Sequence, residues 1–175
     1  MAGTQWLDAD EQRAWRAYVE SSKVLFEALD RQLLRESDLP HAYYEILMRL
    51  SEAEDRSMRM SELATITLSS RSRLSHAVAR LEERGWVARA NCASDRRGQI
   101  ATLTDAGLAV LTGAAPGHVT TVRGYVVDAL SREQLKQLTE IGETIIARVA
   151  QDGGPALGRQ AGGPSVAASE PNAAT

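Results

Sequence analysis

The sequence predicts a mainly α fold in which a helix–turn–helix is followed by a small β-hairpin, with long helices on either side. Three observations predict it. Residues 60–107 run MSELATITLSSRSRLSHAVARLEERGWVARANCASDRRGQIATLTDAG, which reads as helix, turn, helix and then two strands. Apolar residues recur at helical spacing on both flanks of that stretch. Between those flanks, the 175 residues allow one sizeable core with extra helices, not two large domains.

Taken in order, residues 8–36 form an amphipathic helix with Trp15, Val19, Ser22, Phe26, Leu29 and Leu33 along one side. A second helix covers 38–52, with Pro40 near its start and Ile46, Leu47 and Leu50 inside. Ser61 can cap a short helix carrying Leu63, Ala64 and Ile66. The turn 67–70 contains no glycine, so a wide turn is expected there. Ser69 and Ser70 can cap the next helix, and Gly85 suits its end. Leu74, Ala77, Val78 and Leu81 make its apolar stripe, which leaves Ser72, Arg73, His76 and Arg80 facing outward. Residues 86–89 and 99–103 read as strands, with a polar, basic turn over 91–98. Thr104 can cap a helix through Leu111, which Pro116 and Gly117 should kink or interrupt before it resumes over 119–129. Ser131 caps a last helix over 132–149, striped by Leu135, Leu138, Ile141, Ile145 and Val149. From residue 151 Gly, Pro, Ala and Ser dominate without period, which predicts a disordered tail. The chain thus divides into N-terminal helices over 8–52, a helix–turn–helix with hairpin over 53–107, C-terminal helices over 108–150, and a tail over 151–175.

Charge is distributed unevenly. The whole chain carries −3, yet residues 60–98 carry +3 and the remainder −6. Every cation in that basic segment is arginine (71, 73, 80, 84, 89, 96 and 97), the side chain suited to bidentate contact with guanine or phosphate. Such a module in an acidic body focuses phosphate binding on one surface. A helix offering hydroxyl, guanidinium and imidazole groups near its start can enter a DNA major groove. A hairpin tipped by Arg96 and Arg97 can reach backbone or minor groove. Asp95, two residues before Arg97, is placed to hold that tip by a local ion pair. A bare solvated helix face is the plain alternative for the arginines; their context on both sides is what distinguishes them.

At these residues the chain resembles the MarR-type winged helix-turn-helix transcriptional regulators. The resemblance rests on Ser-Glu-Leu-Ala at 61–64, Ser-Arg-Leu-Ser-His at 72–76 and Arg-Leu-Glu-Glu-Arg-Gly-Trp-Val at 80–87. It continues with Asp-Arg-Arg-Gly at 95–98 and Leu-Thr-Asp-Ala-Gly at 103–107. It runs from about residue 11 to 150 and is distinctive in the central third. It implies a homodimer on a pseudo-palindromic operator in double-stranded DNA, often released by a small-molecule effector. In that reading Ser70, Arg71, Ser72, Arg73, Ser75, His76 and Arg80 belong to the recognition helix and Arg96 and Arg97 to the wing. His76 stands where family members often carry arginine or another strong donor. By the same analogy Trp15, Tyr18, His41, Tyr43, Tyr44, Met48 and His118 cluster on helices that line an effector pocket. The other reading of these aromatics is ordinary core or interface.

Other classes find less support. The sequence holds no nucleophile elbow, phosphate-binding glycine loop, HExxH motif or convergent acid–base pair, so no enzyme, and no cofactor, is expected. The single cysteine, Cys92, excludes an internal disulfide and a cysteine-based zinc cluster, and three scattered histidines supply no metal site. Cys92 falls in the expected wing turn and reads as an inert surface thiol, the alternative being a redox sensor activated by neighbouring arginines. Peroxide-sensing relatives keep their reactive cysteine near the N-terminal helix, where this chain has none. No signal peptide or membrane-length apolar run is present, which predicts a cytoplasmic protein without membrane contact. A winged-helix module used only for protein contact remains the rival reading.

Overall fold

The structure is a computed structural model that describes residues 3–92 and 95–155, with the backbone alone at 95–97. Among these residues, six α-helices and a three-stranded antiparallel sheet follow the order α1 (Ala9–Ser37), α2 (His41–Glu52), β1 (Ser57–Arg59), α3 (Met60–Ile66), α4 (Arg71–Glu83), β2 (Val87–Cys92), β3 (Asp95–Leu103), α5 (Asp105–Val122) and α6 (Arg132–Gln151). A 3₁₀ turn, Glu54–Arg56, precedes β1, and a π-helical turn, Arg123–Val127, follows α5. The mainly helical architecture with a small sheet is the one the sequence predicts.

Local hydrogen bonding explains most element boundaries. Asp8 and Glu11 form a capping box at the start of α1, and Ser131 and Gln134 form another at the start of α6. Thr104 accepts from the Gly107 amide at 3.0 Å and caps α5. Gly85 ends α4 with φ 72°, while the Trp86 amide reaches back to the Leu81 carbonyl and the Gly85 amide to that of Glu82. This is the six-to-one, five-to-two pairing of a left-handed helix end, which glycine adopts without strain.

Four expectations need correction. Arg59, not Ser61, occupies the N-cap of α3; its extended backbone leads in from β1, and Ser61 lies inside the first turn. The α3–α4 turn is tight, because Leu68 takes φ 50° and the Ser69 amide bonds the Ala64 carbonyl. Pro116 lies inside α5 without interrupting it: the ring is exposed and the buried Ala114 and Ala115 hold the helix against its neighbours. The wing strands run further than expected, to Cys92 and from Asp95, and a third strand was not foreseen.

That third strand forms only by long-range pairing. Ser57, Met58 and Arg59 lie opposite Thr102, Ala101 and Ile100, giving the order β1-β3-β2. The Ser57 and Thr102 hydroxyls are 2.8 Å apart across the pair. One core runs through the molecule, with Leu33, Leu39, Leu47, Leu50, Leu63, Leu74, Leu81 and Val78 its largest fully buried side chains. Gly107 is required where α5 meets the sheet. A Cβ there would stand 2.1 Å from the Trp86 carbonyl oxygen, the same oxygen that accepts from the Thr104 amide. The last 20 residues of the expected tail, 156–175, lie outside the described residues, and its first residue, Gln151, still belongs to α6.

Candidate nucleic-acid interface

Helix α4 presents two unlike faces. Leu74, Val78 and Leu81 are fully buried, with Ala77 partly so. The opposite side carries Arg71, Ser72, Arg73, Ser75, His76 and Arg80, all exposed, with exposed Ser70 just before it. Ser70 accepts from the Arg73 amide at 3.2 Å, which fixes the first turn and so the direction of these side chains.

The seven arginines of the basic segment divide by partner. Arg89 is half-buried and clasps Glu82: its amide donates to Oε1 at 3.1 Å and its guanidinium pairs with Oε2, which pins α4 to β2. Arg84 donates to the Asp38 carbonyl at 3.1 Å and its carboxylate at 3.3 Å, and lies 4.8 Å from the centre of the Trp86 ring. Those two arginines hold the scaffold together. Arg80 bonds Glu83 at 2.8 Å, and that hydrogen bond and charge raise its pKa further. Arg71 and Arg73 make no side-chain hydrogen bond or ion pair among the described residues and extend into solvent. Among the five of these arginines whose side chains are described, positive charge available to a ligand is therefore concentrated at the start of α4.

The wing is seen through its backbone. β2 and β3 stay in register from Val87↔Leu103 to Asn91↔Gln99, then shift so that Cys92 faces Asp95. The side chains of Asp95, Arg96 and Arg97, and with them the expected ion pair at the tip, lie outside the described residues. Cys92 is buried at 8% exposure, which corrects the surface thiol expected in a turn; strand β2 carries it inward. A buried thiol is poorly placed for the peroxide chemistry of a redox sensor.

The seven residues expected around an effector pocket separate into three groups. His41, Tyr44 and His118 come together where α1, α2 and α5 meet: the His118 ring lies 4.5 Å from Tyr44 and 5.8 Å from His41. Phe26, which the sequence reading placed only in the α1 stripe, stands edge-on to His41 at 5.6 Å. Burial lowers the pKa of both histidines; Asp30, whose carboxylate accepts the His41 amide at 2.7 Å, opposes this for His41, and His41 itself depresses His118 further. Burial raises that of the Tyr44 phenol. Nδ1 of His118 is buried without a partner, as is the Gln32 carbonyl oxygen nearby on α1. Tyr43 and Met48 pack partly buried against the core. Trp15 and Tyr18 pair with each other at 6.3 Å on the exposed part of α1. Trp15 precedes Phe26 by eleven residues, about 16 Å along a helix, so it does not join the histidine group on this chain. Among the described residues no group of three or more His, Cys, Asp or Glu side chains could hold a metal ion. None of their helices is long and apolar enough to cross a membrane.

Comparison with known proteins places this architecture. A MarR family model matches residues 37–98, the span from the α1–α2 junction to the wing. A crystal structure of Sco3205, a MarR family transcriptional regulator from Streptomyces coelicolor in complex with DNA, is similar at 52% identity. It covers 82% of this chain and 89% of that one, with a TM-score of 0.79. AbsC, another MarR family regulator from Streptomyces coelicolor, is 42% identical over 85% of this chain and 99% of its own, also with a TM-score of 0.79. The transcriptional repressor MprA of Escherichia coli strain K12 is 28% identical over 120 residues, 69% of this chain and 68% of that protein. A helix–turn–helix with an antiparallel wing, set between long helices, defines a winged-helix regulator of transcription. The chain belongs to the MarR family.

Proposed function

We propose that the protein is a homodimeric, sequence-specific DNA-binding repressor on a pseudo-palindromic operator, relieved by a small-molecule effector in the cytoplasm. The observation that carries the DNA reading is the start of α4. Arg71, Ser72, Arg73, Ser75 and His76 are exposed together on a helix whose other face is locked into the core. Arg73, one turn into the helix and without a side-chain partner among the described residues, is the residue suited to a guanine edge. Arg96 and Arg97 would hold backbone or minor groove, oriented by Asp95. The wing and α3–α4 would act as the DNA-binding unit over 53–107, with 8–52 and 108–150 supplying assembly. The DNA-bound crystal structure of Sco3205 supports the class of ligand.

Assembly follows from the outer helices. No side chain of α6 is buried in the single chain, yet Leu138, Ile141, Ile145, Ile146 and Val149 lie along it. Trp15, Tyr18, Val24 and Phe26 are likewise exposed on α1. Apolar stripes of this size seek a partner, and a second copy of the same chain satisfies both. The two recognition helices would then sit about one helical turn of DNA apart, ~34 Å. The His41–Tyr44–His118 group, with its unpartnered Nδ1, is the site proposed for the effector, which would act by shifting the population of two dimer forms.

The test is binding to mixed-sequence duplexes over a salt series. The reading expects tight binding at low salt that weakens with a steep log–log slope. A protein that binds no DNA at low salt would favour the rival reading, a winged-helix module for protein contact.

A further inference from the structure

His41 and His118 meet where the outer helices join the rest of the molecule. α5 packs along α1, while α2 touches both of them and also α4, β1 and β3. At Gly117 a Cβ would stand 2.5 Å from Oε2 of Glu36 and 3.0 Å from Nε2 of Gln32, so α5 approaches α1 closely there. The next residue, His118, sets its ring 4.5 Å from Tyr44 and 5.8 Å from His41, both on α2. Phe26 of α1 stands 5.6 Å from His41. Neither histidine ring makes a hydrogen bond among the described residues, and Nδ1 of His118 is buried. The carboxylates around this junction are already engaged. Asp30 accepts the His41 backbone amide at 2.7 Å, and Glu36 accepts from Gln32 and Arg35. Glu45, one turn after His41, pairs with Arg49 at 3.8 Å. α5 itself carries no acid nearer than Asp105.

A proton added to this pair places charge in a poorly solvated contact. Each ring is packed against the other and against aromatic surface, so burial disfavours the charged form, and a first charge disfavours a second. Asp30 offsets part of this for His41 alone. Parting α5 from α2 returns both rings to water, where imidazole takes up a proton near pH 6.5. The packed contact is therefore stable above about that pH and is lost as pH falls below it. We propose that the His41–His118 contact is an acid-sensitive latch between α5 and α2, and that its protonation parts the two helices and weakens DNA binding. The inference rests on the DNA-binding reading above and gives the histidine group a second signal, the proton. The route from latch to DNA is short. Arg84, at the end of α4, donates to the Asp38 carbonyl at the α1–α2 junction, and α2 packs against α4 itself. A shift of α2 against α5 thus changes how α4 is held relative to the outer helices. Half-sites on one face of DNA have a fixed separation, so recognition helices displaced from it lose affinity. Acid acts by moving population between two folded forms.

The experiment titrates a duplex, selected from a random pool for binding at pH 7.5, at pH 7.5, 6.5 and 5.5 and one salt concentration. The chain has three histidines, His41, His76 and His118, so three single substitutions to glutamine assign any response. Wild type should lose affinity below about pH 6.5, with a slope of up to about one in log affinity per pH unit for each proton taken up. In His118→Gln and in His41→Gln the ratio of affinities at pH 7.5 and 5.5 should fall towards one. His76→Gln, on the DNA face, should keep the acid loss. The imidazole proton signal that disappears from the magnetic resonance spectrum in His118→Gln should titrate in wild type over the pH range of the affinity loss. Circular dichroism of wild type at pH 5.5 should match that at pH 7.5, because both arrangements are folded. The latch is overturned if wild type binds as tightly at pH 5.5 as at 7.5, if both latch variants keep the full loss, or if the loss coincides with unfolding. Should His118→Gln fail to fold, His41→Gln carries the same comparison. Wild-type protein that binds no DNA at pH 7.5 and low salt overturns the DNA-binding reading, and the latch with it.

Discussion

Helices α4 and α6 start alike and finish in different surroundings. Each opens on a serine that accepts an amide hydrogen bond, at Ser70 and at Ser131, and each carries apolar residues at helical spacing. In α4 the stripe is buried to completion, with Leu74, Val78 and Leu81 at 0–1% exposure. In α6 the same kind of stripe stands in the open, with Ile141 at 53% and Val149 at 48%. Helix periodicity is thus read from sequence alike in both cases, but only α4 finds its partner within the chain. The segment around α4 is closed: α2, α3 and β2 cover one face and leave the other to a ligand. The outer helices are complete only against a second surface, which makes assembly part of their stability.

The sharpest way to break this comparison is to charge the open stripe. Ile141→Asp with Ile145→Asp should leave the α4 region folded and abolish the dimer. Burial of the exposed half of four such isoleucines in a dimer is worth on the order of 3–6 kcal/mol. Light scattering at micromolar concentration should show a monomer with native circular dichroism. A wild-type chain that is already a soluble monomer would remove the contrast altogether.

A smaller loss is expected inside the closed segment. Gly107→Ala drives a methyl group against the Trp86 carbonyl oxygen, where 2.1 Å is available. Relief requires α5 to move off the sheet, at a cost of about 3 kcal/mol by analogy with overpacked cores. A denaturant midpoint equal to wild type would show that the α5–β2 junction gives way freely. Ser70→Ala should cost about 1 kcal/mol of stability through the lost cap. Because Ser70 also sets the first turn of α4, it should reduce DNA affinity as well, which a fluorescence titration measures.

The smallest effect concerns pH. His41 and His118 both have folded pKa values lowered mainly by burial. Their contribution to stability is therefore present above the unfolded value, about 6.5, and is lost as pH falls from there towards the folded values. Urea midpoints at pH 7.5 and 5.5 should show a drop that shrinks in His118→Gln. A drop of equal size in the variant would assign the acid sensitivity elsewhere.

What the sequence revealed was mostly local. The caps at Ser70, Thr104 and Ser131 and the left-handed end at Gly85 need only residues within a few positions of one another. The outward face of α4 followed from the same periodicity that buries Leu74 and Leu81. What escaped was set by distant pairing or by tolerance. β1 is three residues long and exists because β3 holds it, so Arg59 could not be placed beside Gln99 from spacing. Leu68 takes a left-handed conformation usually left to glycine, which concealed the tight turn. Pro116 removes one amide from α5, yet the packing of Ala114 and Ala115 outweighs that loss. In the histidine–tyrosine cluster, His41 and Tyr44 share a helix turn and were legible together. Phe26 joined them only through the crossing of α1 over α2.

The central claim is that the open face of α4 reads DNA and that two copies do so together. Selection of bound sequences from a random duplex pool tests both parts at once, using wild type beside Arg73→Ala. The account predicts a two-fold symmetric motif with half-site centres about one helical turn apart. In the Arg73→Ala pool the preference should relax at one base pair in each half-site, with a loss of roughly 1–3 kcal/mol on the wild-type sequence. An enriched motif without symmetry would contradict the dimer, and an Arg73→Ala motif identical to wild type would contradict base readout by this helix face.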